Sequence, residues 1–269
     1  MRTIVRHIRH ESRADEFHII PLSDPHLGNE ACDEKAFAST IKRIADDPFA
    51  YWIGMGDYCD FINRKDKRFD VSSLPKWLYG AKDIPKTQIE RVVAMLVPIK
   101  DKCLAFLKGN HEDDMALREG RDVYATLIEK LAPDGKQAEI EMGYSGFLLL
   151  RFHRGTERGN AWTLPLFLTH GWWGGRLMGN GALNLERLFG YVDALMVLAG
   201  HDHKRRAFPL TRLRPRANGG VERETGYCCS CGTFLDGAKY AERKGYRDAP
   251  IGSLEITVRP DSHEIKVTQ

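Results

Sequence analysis

The stretch Phe17 to His26, FHIIPLSDPH, sets a short apolar run directly against an Asp24-Pro25-His26 turn. A run of this length, Phe17 to Ser23, ending in a polar turn reads as a buried strand. Working outward, Asp33 to Asp46 places Ala36, Phe37, Ile41, Ile44 and Ala45 at helical spacing, with Asp33 as N-cap and Pro48 as the stop. Phe49 to Met55, FAYWIGM, then reads as a second buried strand, followed by Gly56-Asp57-Tyr58-Cys59-Asp60. Thr87 to Ile99 has helical spacing, and Cys103 to Leu107, CLAFL, is a third strand followed by Gly109-Asn110-His111-Glu112. Strand, helix, strand, helix, strand is the signature of a parallel sheet with covering helices.

Beyond this point the texture changes. Glu112 to Leu131 reads as one helix, and Ala138 to Met142 with Gly146 to Phe152 as a hairpin. Strands follow at Trp162 to Thr169, Ala194 to Ala199, Val221 to Cys229, Ser253 to Val258 and Glu264 to Val267. The expected architecture is α/β, two packed sheets with helices outside, in one domain spanning 1–269. Between Asp60 and Gly109 lie 48 residues, where a helix-and-strand return needs roughly 30. The surplus, about Phe61 to Pro85, mixes Phe61, Phe69, Trp77 and Tyr79 with Arg64, Lys65, Lys67, Arg68, Lys76 and Lys82, and reads as an inserted flap.

The 269 residues are 42% hydrophobic and 29% charged, enough apolar material for a core and too much for disorder. Lys+Arg 40 against Asp+Glu 37 gives +3, too near balance to announce a nucleic-acid partner by itself. No apolar run approaches the ~18 residues of a membrane span. The opening Arg2, Arg6, His7, Arg9, His10 and Arg13 lack the apolar core of a secretory signal, so the chain is read as cytoplasmic. Its six cysteines form no disulfide framework, and Cys228, Cys229 and Cys231 read as small buried residues of a strand.

The chemistry lies at the strand ends. After successive strands come Asp24-Pro25-His26, Gly56-Asp57-Tyr58-Cys59-Asp60, Gly109-Asn110-His111-Glu112, His170-Gly171 and Gly200-His201-Asp202-His203. Each alone is weak, since an Asp or a Gly-Asp after a strand is an ordinary turn. Together they put metal-ligand residue types at five carboxyl ends, where ligands of open α/β sheets collect. In Gly200-His201-Asp202-His203, two imidazoles two residues apart on an extended segment project the same way. Glu112 and Asp202, beside these groups, read as supporting or solvated acids, and Lys239 to Tyr246 as a surface turn without chemistry.

As an ordered set these motifs resemble the calcineurin-like metallophosphoesterase superfamily over roughly residues 17 to 204. The resemblance implies a four-layer α-β-β-α sandwich of two mixed sheets with flanking helices, holding two divalent metals. Carried over, Asp24, His26 and His203 bind the first, Asp57 bridges, and Asn110, His170 and His201 bind the second. His111 faces the leaving group, with Asp60 as its carboxylate partner. Mixed imidazole and oxygen donors suit Mn, Fe, Zn, Co or Ni rather than Ca, and manganese is the leading expectation among them, with Fe, Zn, Ni or Co as alternatives. Two divalent ions against Asp24 and Asp57 leave about +2, or about +1 with a bridging hydroxide, which attracts an anion and supplies a nucleophile. The implied reaction is in-line attack by that hydroxide on a phosphate ester, His111 serving the departing oxygen as acid.

The subfamily is less sharply marked. Asp60 is followed by Phe61-Ile62 rather than the Arg-Gly of protein serine/threonine phosphatases, which speaks against that branch. Asp24-Pro25-His26-Leu27-Gly28 looks more like the opening of the superfamily's repair nucleases. Lys204, Arg205, Arg206, Arg212, Arg214 and Arg216 follow the last ligand without an intervening acid, and Trp172-Trp173-Gly174-Gly175-Arg176 follows His170. Trp172, Trp173, Arg176 and Arg205 are therefore candidate substrate contacts, and nucleic acid a possible partner. A phosphodiesterase or nuclease-like enzyme is the leading expectation, with a phosphomonoesterase or nucleotide phosphatase as the alternative. An inactive binding protein on this fold would show gaps among the ligands, and none of the seven is substituted.

Overall fold

A computed structural model describes the chain apart from residues 63, 65, 67, 68, 133, 134, 156–160, 238–244, 246 and 248. In chain order, the first half contains β1 (Arg2–His10), β2 (Phe17–Leu22), α1 (Glu34–Asp46), β3 (Ala50–Gly54), α2 (Ile84–Leu96), β4 (Cys103–Leu107), α3 (Asn110–Glu119) and α4 (Val123–Leu131). The second half contains α5 (Gln137–Ile140), β5 (Glu141–Gly143), β6 (Ser145–Arg154), β7 (Ala161–Thr169), α6 (Met178–Tyr191) and β8 (Met196–Ala199). It ends with β9 (Arg205–Pro215), β10 (Val221–Thr233), β11 (Gly252–Ser253), β12 (Glu255–Arg259) and β13 (Glu264–Thr268).

Two mixed sheets face each other. The first has six strands in the order β13-β12-β2-β3-β4-β5, with β2 to β5 parallel and β12 and β13 antiparallel. The second has seven, β1-β6-β7-β8-β10-β11 with β9 on the free side of β10. Successive strand residues point to opposite faces, and here both faces are covered. Ile19 and Ile53 join Leu104, Leu148, Leu150, Leu166 and Leu198 in the core between the sheets. Their neighbours Ile20 and Trp52 turn outward against Phe37 and Ile44 of α1, Val92 and Leu96 of α2, and Leu127 of α4. On the other side Phe167 and Val197 pack under Leu185 and Phe189 of α6. The result is the expected α-β-β-α sandwich.

Local chemistry sets several boundaries. Asp33 accepts from Ala36 N at 2.9 Å and starts α1 as read from the sequence. The helix expected over Glu112 to Leu131 is two helices: Gly120 takes φ 66 and closes α3, and Asp122 caps α4 by accepting from Ala125 N at 2.9 Å. The expected hairpin is also corrected. β5 pairs with β4 in the first sheet while β6 pairs with β1 and β7 in the second, so Tyr144 is where the chain changes sheets. Alternation marks a strand but not its partner.

Two strands carried no sequence signal. β1 buries Ile4, Ile8 and His10 on one side, an alternation diluted by arginine. β9, read as a basic run, is an eleven-residue strand whose arginines face acids: Arg212 reaches Glu224 at 2.5 Å, Arg216 reaches Glu222 at 3.1 Å, and Arg214 pairs with Asp193. In the segment read as a flap, Leu74 and Leu78 are buried, and Trp77 donates to Glu34 Oε1 at 2.7 Å beneath the Arg91 guanidinium. Lys65, Lys67 and Arg68 lie outside the described residues, as does most of Lys239 to Tyr246. Cys228, Cys229 and Cys231 are buried and free in β10. Among the described residues no helix is long and apolar enough to cross a membrane.

Candidate metal centre

All seven expected ligands stand at or just beyond the carboxyl ends of β2, β3, β4, β7 and β8. The structure gathers six of them into two triads, Asp24–His26–His203 and Asp57–His170–His201, each with donor atoms within 4.8 Å of one another. In the first, His26 Nε2 lies 3.1 Å from His203 Nε2, which is 3.5 Å from Asp24 Oδ1. In the second, His170 Nε2 lies 3.4 Å from Asp57 Oδ2. The same Asp57 oxygen is 3.8 Å from His26 Nε2, so Asp57 sits between the triads. Asn110 completes the second, with its side-chain oxygen 2.8 Å from His201 Nδ1 and 3.1 Å from His170 Nε2.

The backbone is bent to achieve this. Among the described residues seven non-glycines have positive φ, and five are Asp24, His26, Asp57, His201 and His203. A left-handed non-glycine residue costs on the order of 1–3 kcal/mol and persists where the surroundings over-determine it. The left-handed conformation falls on the ligands themselves as well as on glycines beside them such as Gly56 and Gly171. Two glycines answer a different need. A Cβ on Gly56 would lie 2.6 Å from His170 Nδ1, and one on Gly109 would lie 2.2 Å from Asp57 Oδ1.

Supporting groups aim the ligands. His170 Nδ1 donates to Met55 O at 2.8 Å, which turns Nε2 toward Asp57. Asp24 accepts from His201 N at 3.0 Å, and its carbonyl accepts from Thr233 Oγ1 at 2.8 Å. Glu112, read from sequence as a supporting or solvated acid, is fully buried and accepts from the backbone N–H of Asp57, Tyr58 and Gly109, each at 2.9 Å. Its place three residues after Gly109, where a helix opens, was the available signal.

Burial and mutual charge set the protonation states. Burial alone would raise the Asp57 carboxyl, but His170, His111 and His26 around it hold it well below the ordinary carboxylate value. Burial pushes His26 down, and burial with the charge of His170 lowers His201, so both favour the neutral, ligating form. His170 resists its burial because Asp57 faces it, and rises to about 10. Burial, reinforced by Asp57, lifts Glu112 to about 7.

The donor set fits divalent transition-metal ions. His26 Nδ1 is buried without a hydrogen-bond partner, while the Nε2 atoms of His26 and His203 face each other at a separation one proton can bridge. Asn110 can point either amide atom at its neighbours: turned over, its nitrogen would donate to His201 Nδ1 at 2.8 Å and Asp57 Oδ2 at 3.3 Å. With the oxygen inward, the Asn110 amide, the His170 and His201 imidazoles and the Asp57 carboxylate form a mixed nitrogen and oxygen donor set that suits a divalent cation, whose charge would displace the His170 proton.

The expected catalytic pair takes a different form. His111 N donates to Asp57 Oδ1 at 2.8 Å, and His111 Nδ1 meets the backbone carbonyl of Asp60 at 2.5 Å. The Asp60 carboxylate lies 3.6 Å from His26 Nδ1, in a group formed by His26, Asp60 and His111. Of the substrate candidates, Trp172 is 68% exposed and Arg176 is exposed. Trp173 is corrected to a core residue, 5% exposed in the cluster of Phe167 and Leu185, where its indole adds apolar area beneath the loop. Arg205 donates to Ile251 O at 3.0 Å, an internal tie.

No protein-family model matches the chain, and no curated protein matches it. Solved structures similar to it include a predicted phosphoesterase from Streptococcus pneumoniae TIGR4, 14% identical, covering 94% of this chain and 98% of that one with a TM-score of 0.37. A metallophosphoesterase from Sphaerobacter thermophilus is 13% identical over 93% of this chain and 87% of that one, with a TM-score of 0.43. The calcineurin-like phosphoesterase YfkN from Bacillus subtilis is 12% identical over 94% and 88%, with a TM-score of 0.34. These three are described, in turn, as a predicted phosphoesterase, a metallophosphoesterase and a calcineurin-like phosphoesterase.

Proposed function

We propose that the protein, acting as one domain over 1–269, is a two-metal phosphoesterase that hydrolyses phosphodiesters. The observation that carries this reading is the pair of triads with Asp57 between them. Two divalent ions there, manganese first, would supply net positive charge for a phosphate oxyanion and lower the pKa of water toward ~7. Asp24, His26 and His203 hold one side, Asn110, His170 and His201 the other, and the shared Asp57 carboxylate offsets repulsion between the two positions. His111 is fixed through its backbone N–H on Asp57 and its Nδ1 on the Asp60 carbonyl. As an imidazolium it gives the Nε2 proton to the departing oxygen.

Charge favours a diester. A monoester brings a dianion and a diester a monoanion, so a monoesterase benefits from an additional cation. The cations following the last ligand are engaged: Lys204 donates to the carbonyls of Gly175 and Leu177, each at 2.8 Å, Arg205 to Ile251 O, and Arg206 pairs with Asp202. The paired arginines of β9 likewise favour a small diester over a polynucleotide. Hydrolysis of bis(4-nitrophenyl) phosphate and 4-nitrophenyl phosphate, with manganese added and bound metal quantified, tests the reading. Faster turnover of the diester supports it; faster turnover of the monoester overturns the diester assignment. Two bound equivalents without hydrolysis of either overturns the enzyme.

A further inference from the structure

We propose that Lys204 is a positioning residue for substrate selection: it holds the 171–177 loop so that Trp172 meets the retained organic group of a phosphodiester, giving preference to an aromatic one. The inference rests on the phosphodiesterase reading above and deepens it.

The loop has little to order it from within. It carries Gly174 and Gly175 in succession, the latter at φ 156, and α6 begins without a side-chain cap because its N-cap is Leu177. Fixing such a segment costs more backbone entropy than most. Order comes from the segment that follows the last ligand. Lys204 Nζ donates to Gly175 O and Leu177 O, each at 2.8 Å, and the Arg206 guanidinium donates to Met178 O. Asn180 Nδ2 adds a bond to Gly174 O at 2.5 Å. Lys204 adjoins His203, so the turn that aims a metal ligand also places the loop. The close seat of α6 depends on this arrangement, since a Cβ on Gly181 would strike Arg206 Nη2 at 2.0 Å and Asp202 Oδ2 at 2.3 Å.

The loop holds an apolar surface beside a polar centre. Trp173 is packed in the core, and its ring meets that of Trp172 edge-on at 4.9 Å and 78°. Trp172, two residues from His170, is thereby braced while 68% exposed, and Leu177 beside α6 is 70% exposed. A large exposed apolar side chain two residues along the chain from a residue of a charged site suits contact with the organic part of a ligand.

The test compares bis(4-nitrophenyl) phosphate with methyl 4-nitrophenyl phosphate, which release the same phenolate and differ only in the retained group. The wild type should show a KM about fivefold lower for the bis-aryl ester, the scale of one aromatic contact. Lys204→Met and Trp172→Ala should each bring the two KM values together while the ratio of the two kcat values holds, and the double variant should go no further. Lys204→Met should also speed hydrogen exchange at amides 172–177 with metal content retained. Unchanged exchange in Lys204→Met overturns the tether. Faster exchange with the KM difference intact overturns the selection role. A metal-loaded wild type that cleaves neither ester overturns the diesterase reading and the selection role with it, while the exchange result still decides the tether.

Discussion

Glu112 clasps Asp57 from below: one carboxylate oxygen accepts from Asp57 N and Gly109 N, the other from Tyr58 N, all at 2.9 Å. The turns after β3 and β4 are thereby tied to each other by an acid that is not itself among the expected ligands. Glu112→Gln replaces one acceptor with an NH2 group facing backbone donors. Leaving buried donors unsatisfied costs about 1–3 kcal/mol, and disturbing a ligand's support weakens metal affinity about 10–100-fold. Titration calorimetry with manganese and a thermal melt should show both losses; an unchanged Kd would contradict the clasp.

Gly56 has φ 99 and faces His170 Nδ1 and Gly109 N at 2.6 and 2.7 Å from an added Cβ. Gly56→Ala combines a left-handed backbone with steric overlap against a ligand ring and main chain. A loss of about 3 kcal/mol or more is expected in urea unfolding, whereas Gly80→Ala, with open space around it, should lose only the conformational part.

Away from the centre, His18 Nδ1 meets Asp47 Oδ2 at 2.6 Å, fastening the start of β2 to the end of α1. Burial opposes the charge on His18, yet Asp47 and Glu16 raise its pKa; burial also works against Asp47, which His18 holds below the usual carboxylate value. The histidine's contribution is present below its unfolded pKa and is lost as pH rises through the raised folded one. The aspartate's is present above its unfolded pKa and is lost as pH falls through the lowered one. Stability from the pair therefore peaks between the two. His18→Ala should remove about 1 kcal/mol there and flatten the decline on the alkaline side, read by denaturation at a series of pH values. An unaltered slope would contradict the pairing.

His111 and Asp60 separate catalysis from ligand support. His111→Ala should keep its metal while turnover of an ester with a poor leaving group falls about 10²–10⁴-fold. Asp60→Asn retains the carbonyl that meets His111 Nδ1 but alters the carboxylate 3.6 Å from His26 Nδ1. Its larger effect should fall on metal affinity. Metal loss in His111→Ala would refute its assignment as the acid.

How far the sequence could be read follows from what each residue answers to. Asp24, His26, Asp57, Asn110, His170, His201 and His203 were legible because a strand end fixes their place, and the strands were legible from apolar runs. β1 and β9 were hidden because half of each strand faces solvent or partner acids, where arginine serves as well as any apolar residue. The α3–α4 break turned on Gly120 and Asp122, whose capping roles local spacing outvoted. Trp173 was misread because composition cannot tell a side chain that anchors a loop from one that faces a substrate. The Glu112 clasp and the left-handed ligands depend on tertiary closure between distant turns.

The most direct measurement counts manganese bound per chain after dialysis, by elemental analysis, for the wild type, Asp24→Ala and Asp57→Ala. The account predicts two equivalents in the wild type, one tight equivalent left in Asp24→Ala, and both weakened in Asp57→Ala because its carboxylate serves both triads. A folded wild type that retains no metal, or an Asp57→Ala protein that keeps both equivalents at undiminished affinity, would contradict it.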